Sequence, residues 1–150
     1  MSLNFKIPIK IIELDHKSFH PLIEARINNL PVNLIIDTGA SRTVFDKSLV
    51  GKNLRIIEPN DSDGIQSAGI MAGNIESQFA VAESFKLGKL ELYNYPVVLI
   101  DLEEINKLYL KVTGRQVHGL LGSDFLLEKN ALIDYKKHCL ILKIQDAEIG

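Results

Sequence analysis

Apolar and polar residues alternate with a period of two along much of the chain. Phe5, Ile7, Ile9 and Ile11 alternate with Lys6, Pro8 and Lys10, which predicts a strand with one face toward a core; Pro8 suits a sheet edge because proline has no amide to donate. Phe19, Ile23, Ala25 and Ile27 share one face of a second strand, and Asn28-Asn29 reads as a hairpin turn into a third. That third strand breaks the alternation. Leu34-Ile35-Ile36 places three large aliphatics in succession, the pattern of a short strand buried on both faces. Later, Phe79, Val81, Phe85 and Leu87 alternate toward a turn at Gly88-Lys89. Leu90 and Leu92 follow, then Val97-Val98-Leu99-Ile100 after Pro96, giving three more strands. Ala131 to Tyr135 and His138 to Leu142 form a last hairpin around Lys136-Lys137.

Helical spacing is confined to short segments. Val44, Phe45, Leu49 and Val50 predict a brief helical turn closed near Gly51. Leu102, Ile105, Leu108, Tyr109 and Val112 recur at helical intervals up to Gly114, with Asp101 and Glu104 resembling a capping pair at the start. A second helix opens at Gly122-Ser123-Asp124, where a serine or aspartate satisfies free amides and the carboxylate meets the positive end of the helix dipole. The expected class is therefore mostly β, with two short helices.

Length and composition narrow the possibilities. A chain of 150 residues builds one domain with a real core and is short for two, so residues 1–150 are read as a single domain. With 46% hydrophobic residues and a net charge of −2, neither disorder nor a basic nucleic-acid surface is favoured. The lone cysteine, Cys139, lies in an apolar stretch and reads as a small buried hydrophobe. That suits a reducing, cytoplasmic setting. The first residues alternate instead of forming the apolar core of a signal peptide, and no stretch is long enough to span a bilayer, so no membrane partner is expected.

Candidate chemistry concentrates at one point. An apolar run such as Leu34 to Ile36 should not end in a carboxylate without purpose, yet Asp37 follows it directly, and then Thr38, Gly39 and Ala40. Other constellations are weaker. Asn60-Asp61-Ser62-Asp63-Gly64 lacks the spacing and the final glutamate of a calcium loop. His16 and His20 stand in strand and loop, where helical spacing does not converge them on a metal, so no metal or cofactor is expected. Ser41 with His118 fails as a hydrolase pair because Gly39-Ala40-Ser41-Arg42-Thr43 lacks the second glycine of a nucleophile elbow.

The apolar run followed by Asp37-Thr38-Gly39-Ala40 resembles the signature of retropepsin-type aspartic proteases, and Gly119-Leu120-Leu121-Gly122-Ser123-Asp124 resembles the apolar-apolar-Gly block that opens their C-terminal helix. The resemblance implies the acid-protease fold, a closed β-barrel-like lobe with a flap hairpin. It also implies endopeptidase activity on peptide or protein substrates without a cofactor. Because the chain holds one Asp-Thr-Gly where pepsin-like enzymes have two, it implies a homodimer in which Asp37 from each copy completes a dyad. In the resemblance Asp37 is catalytic, Thr38 hydrogen-bonds across the axis, Gly39 contacts substrate through its backbone, and Ala40 replaces the serine usual in pepsins. The flap expectation falls on Ala68, Gly69, Ile70, Met71, Ala72 and Gly73, within an uncharged stretch that reads equally as an ordinary glycine-containing turn. Viral enzymes carry an acid after the first block and an arginine after the second; here Arg42 and Asp124 reverse the signs. An Arg42 to Asp124 ion pair beside Gly122 is one reading, and independent surface placement the other. A fold can outlive its chemistry, so a catalytically silent dimerisation or peptide-binding domain is the alternative function.

Overall fold

The computed structural model describes residues 2–58 and 77–145. The residues on which the flap expectation falls, Ala68 to Gly73, and the stretch Asn60 to Gly64 lie outside these residues. In chain order the elements are β1 (Ser2–Pro8), β2 (Lys10–Leu14), β3 (Ser18–Ile27), β4 (Leu30–Ile36), β5 (Val44–Asp46), α1 (Lys47–Val50), β6 (Arg55–Ile57), β7 (Gln78–Leu87), β8 (Leu90–Ile100), α2 (Glu103–Thr113), β9 (Gly119–Leu121), α3 (Ser123–Glu128), β10 (Leu132–Asp134) and β11 (Cys139–Gln145).

Strands β3-β4-β9-β5-β8-β7 are paired in that order, and β7 pairs back onto β3 through Arg26↔Lys86 and Ile27↔Phe85. Six strands thus close into a barrel, with β2 and β6 flanking it. A separate sheet, β1-β11-β10, is formed by the two ends of the described chain. The barrel contains a crossed arrangement: β4 runs parallel to β9, β9 antiparallel to β5, and β5 parallel to β8. Parallel neighbours need long connections: the one from β4 to β9 runs through β5 to β8 and α2, and the one from β5 to β8 runs through α1, β6 and β7.

Packing explains the unbroken apolar run. Leu34 and Ile36 face the main core, while Ile35 faces a second cluster with Leu14, Leu22, Tyr109 and Val117 beneath α2. Both faces of β4 are therefore buried, as its composition demands. The main core is centred on Phe45, Phe85 and Phe125, all fully buried, with ring centroids 5.7 and 6.0 Å apart for the Phe45–Phe85 and Phe85–Phe125 pairs. These are edge-on contacts of the kind that add to simple burial.

Three expectations from the pattern are corrected. The first strand is interrupted at Ile9: Pro8 has no amide with which to continue the ladder, and the Ile9 amide bonds to His138 O at 2.9 Å, so β1 and β2 enter different sheets. Phe19 stands 56% exposed, because β3 starts beyond the rim of the core. Phe79, Val81, Phe85 and Leu87 do not share a face. Ala80 and Ala82 are buried first and Phe85 and Leu87 afterwards. The inward side of β7 switches near Glu83, opposite Asn94 of β8, which takes φ 50°.

The turns follow the sequence closely. Asn28 and Asn29 adopt φ 46° and 68°, the left-handed pair a two-residue hairpin requires and asparagine tolerates. α2 ends at Gly114 with φ 72°, the usual glycine stop. Its start differs from the capping-pair expectation: Asp101 Oδ1 accepts from the Glu103 amide at 2.8 Å, and the Leu102 amide is held from elsewhere, by Asp46 Oδ1 at 2.8 Å. The brief helical turn is present as α1, but Val44 and Phe45 belong to the strand before it.

Candidate active site

Asp37 is the first residue beyond β4. Its amide bonds to Leu121 O at 2.9 Å, extending the parallel β4–β9 ladder by one rung, and its carbonyl accepts from the Ala40 amide at 3.1 Å to close a turn. The carboxylate folds back over that turn, with Oδ1 accepting from the Gly39 amide at 3.0 Å. This is the Asx geometry that aspartate offers a turn. One oxygen is thereby fixed. The side chain is half-buried and Thr38 beside it is exposed, so the carboxylate sits at a surface with its backbone anchored in the barrel.

Glycine has different duties at the two motif positions. Gly39 is not in the left-handed region, and a Cβ there would make only ordinary contact with Asp37 Oδ1 at 3.4 Å. The turn itself does not demand glycine at 39. At Gly122 an added Cβ would fall 2.6 Å from the Arg42 carbonyl carbon and oxygen and 2.9 Å from Ala40 O. These are main-chain atoms that cannot swing aside. The Ser123 amide adds a bond to Ala40 O at 2.8 Å, so the β9–α3 corner grips the turn that follows Asp37.

Thr43, which the sequence analysis did not single out, completes that grip. It is 3% exposed. Its hydroxyl donates to Asp124 Oδ1 at 2.8 Å and accepts from the Gly122 amide at 3.0 Å, while its own amide donates to the same Asp124 oxygen at 2.9 Å. Asp124 Oδ1 also takes the Phe125 amide at 2.7 Å. The proposed ion pair with Arg42 is not formed: among the described residues Asp124 turns to Thr43. A buried hydroxyl and two backbone amides already in place cost little further ordering, whereas a long arginine side chain must be immobilised to pair.

Two more polar residues support the same region and lacked any repeating pattern that would expose them. Asp46 is 3% exposed and uses both oxygens, Oδ2 accepting from the Leu49 amide at 3.1 Å and Oδ1 from Leu102. An aspartate immediately before a helical turn was its only sequence signal. His118 is half-buried, and its Nδ1 accepts from the Asn33 amide at 3.0 Å while its own amide donates to Asn33 O at 2.8 Å. Burial pushes its imidazole pKa below the ordinary value, and the Asp46 charge opposes that shift in part.

An open hollow of about 430 Å³ adjoins the carboxylate, lined by Asp37, Thr38, Phe19, Leu108, Tyr109 and Leu120 among others. Tyr109 is 3% exposed, and its hydroxyl has no hydrogen-bond partner among the described residues. Burial raises its phenol pKa to about 12. A second hollow of about 450 Å³ is lined by Arg42 and Thr43 together with Tyr93, Tyr95, Asp124 and Lys129. No group of three or more His, Cys, Asp or Glu side chains is arranged to hold a metal among the described residues. His16 and His20 form no such cluster.

A family model for aspartyl proteases matches residues 23–125, a span that includes both sequence blocks and more than two thirds of the chain. No curated protein sequence matches. Among solved structures, the retroviral protease-like domain of Ddi1 from Leishmania major is similar at a TM-score of 0.51 with 15% identity, over 81% of this chain and 86% of that one. A retropepsin-like aspartic protease from Rickettsia conorii is similar at a TM-score of 0.49 with 22% identity, over 96% of this chain and 91% of that one. EIAV protease complexed with the inhibitor HBY-793 gives 0.49 and 16%, over 82% and 99%. The match over residues 23–125 and the closed six-stranded barrel lead to one conclusion: the chain belongs to the aspartyl protease family and has a retropepsin-like fold.

Proposed function

We propose that this protein is an aspartic endopeptidase whose reaction centre is completed when Asp37 of a second copy meets the first across a twofold axis. The observation that carries the reading is the placement of Asp37. It is a half-exposed carboxylate on a backbone locked to β9, with one oxygen held by Gly39 and an apolar hollow beside it. Such a group is held for work on something outside the chain.

Amide hydrolysis by carboxylates needs one ionised group to take a proton from water and one protonated group to donate to the amide. Asp37 alone cannot fill both roles. Two carboxylates about 3 Å apart cannot both stay ionised cheaply and share a proton. In the dyad, one carboxylate removes a proton from a water lying between them, and the water attacks the substrate carbonyl. The other carboxylate protonates the carbonyl oxygen, giving a tetrahedral diol. Proton transfer to the nitrogen then releases the amine. Thr38, exposed next to Asp37, is assigned the bond across the axis; Gly39 presents backbone to substrate, and its lack of a side chain keeps the approach to Asp37 open. Residues Ala68 to Gly73 are assigned the cover that excludes water. Arg42, Gly122 and Asp124 belong to the support beneath the turn, with Gly122 and Asp124 acting through Thr43.

Cleavage of a peptide library by the native chain and by Asp37→Asn, across mildly acidic pH, tests the reading. The expected result is hydrolysis by the native chain and loss of at least about a hundredfold in the variant, the scale on which removal of a general acid–base group acts. Equal activity of the two, or none in either, supports a silent peptide-binding domain instead.

A further inference from the structure

A buried tyrosine carries a polar tip on a large apolar ring, and the tip ordinarily finds a hydrogen-bond partner. Tyr109 departs from this rule. It lies on the inward face of α2, 3% exposed, in the cluster with Leu14, Leu22, Ile35 and Val117. Its hydroxyl is the one buried side-chain polar atom without a partner among the described residues. Stranding such a group costs stability, and phenylalanine would fill the same space without that cost. The polar side chains nearby are engaged elsewhere. His20 meets the ring edge-on with centroids 5.7 Å apart, and its Nε2 is bonded to Ser18 Oγ at 3.2 Å. Asn106, one turn earlier on α2, commits its side chain to Val117, donating to the carbonyl at 2.8 Å and accepting from the amide at 2.6 Å.

Tyr109 also lines the hollow of about 430 Å³ that holds Asp37 and Thr38, a size within the roughly 300–1,000 Å³ of small-ligand pockets. Among the buried residues of that lining, Leu14, Pro21, Ile35, Ile36 and Tyr109, the phenol is the one polar side-chain group. Phe19 and Leu108 line the same hollow at 56% and 44% exposure. Exposed side chains change rotamer on a picosecond to nanosecond scale, so these two can part for a group that enters beside Asp37. Burial raises the phenol pKa to about 12, which keeps the hydroxyl neutral and able to donate in neutral and acidic solution. A charged side chain entering an apolar lining would lose its hydration in exchange for one neutral partner, whereas an uncharged acceptor avoids that cost.

We propose that Tyr109 is a specificity-determining residue, whose hydroxyl donates to the carboxamide of a glutamine or asparagine side chain lodged in the hollow beside Asp37. The proposal deepens the endopeptidase reading and rests on it for the choice of a peptide as occupant. The apolar walls cover the methylenes of the entering side chain, and its carbonyl oxygen takes the stranded proton. Methionine, of the same length as glutamine, leaves the hydroxyl as it was.

The test selects peptides from a random library by binding to Asp37→Asn, and in parallel maps the cuts that the native chain makes in the same library. The selected peptide is then made with glutamine or methionine at the chosen position, and its Kd is measured by fluorescence anisotropy on Asp37→Asn and on the double variant Asp37→Asn with Tyr109→Phe. The expected result is enrichment of a carboxamide residue and binding of the glutamine peptide at least about threefold tighter than the methionine one, within the range of one neutral hydrogen bond. In the double variant the ratio should fall to about one, with stability to urea equal to or above that of the parent. A ratio that survives Tyr109→Phe, or no carboxamide preference at all, overturns the proposal and leaves Tyr109 a core residue only. If the double variant unfolds, NMR of Asp37→Asn carrying ¹³C at the tyrosine Cζ decides: a Tyr109 signal that moves with the glutamine peptide and not with the methionine peptide supports the bond, and one that ignores both refutes it. Tyr109-dependent preference in binding, from a native chain that cuts nothing, upholds the proposal and sinks the hydrolase reading. Cutting without such a preference does the reverse.

Discussion

At the scale of single residues, the carboxylate that faces outward depends on a hydroxyl that faces inward. Thr43 is in contact with both halves of the support, Gly122 through its backbone amide and Asp124 through its carboxylate. Thr43→Val keeps the shape and removes the hydroxyl, leaving the Gly122 amide unsatisfied. The expected cost is about 1–3 kcal/mol, the usual penalty for stranding a buried polar group. Urea unfolding should show a lower midpoint with an unchanged slope.

Ala40 makes a different contribution, by what it lacks. Its amide closes the turn at Asp37, but its side chain offers no hydroxyl that could hold the ionised form of a neighbouring carboxylate. Hydrogen bonding to the charged form lowers a carboxyl pKa, so the proposed dyad should work best in weakly acidic solution. Ala40→Ser should move the acid limb of the pH–rate profile for peptide cleavage downward, and a profile that does not move removes the argument.

His118 sets an opposing limit. Its folded pKa is lowered from 6.5 by burial, and its Nδ1 must be unprotonated to accept from Asn33. Above pH 6.5 both the folded and unfolded forms are neutral and this contribution to stability is intact. As the pH falls below 6.5 the unfolded chain binds the proton first, and stability declines until the pH has passed below the folded pKa. His118→Gln, with no proton to take up, should flatten that part of the stability–pH curve between neutral and mildly acidic conditions, measured by denaturant unfolding at each pH.

At the scale of elements, alternation located most strands and spacing located the helices, because burial of one face leaves a period in the sequence. β4 was legible as a doubly buried strand from Leu34 to Ile36, and the Asn28-Asn29 turn from its residue types. What escaped was geometry without a period. Nothing local to Glu83 and Asn94 announces that β7 exchanges its inward side there, and the break at Ile9 depends on the capture of its amide by His138, far along the chain. The two sequence blocks around Asp37 and Gly122 were visible as motifs. Their linkage through Thr43 was not, since one buried threonine among polar neighbours has no signature. The Arg42 to Asp124 ion pair was one of two readings of opposite charges at these positions, and the carboxylate instead takes the Thr43 hydroxyl and two amides of fixed geometry.

At the scale of the whole molecule, the barrel closes without help from the terminal strands. β3 pairs directly with β7, and the β1-β11-β10 sheet is a separate layer. The lobe thus holds Asp37 in place with its own backbone, through the rung to Leu121. Among the described residues no helix is long and apolar enough to cross a membrane.

The corner at Gly122 has one more consequence. It touches the main chain on either side of Ser41, at Ala40 and at Arg42, so it works as a gauge block that sets the spacing between the Asp37 turn and the lobe behind it. A methyl group added there would press on carbonyls instead of opening a void. The damage would register first as a carboxylate out of alignment, in a protein whose core was otherwise whole.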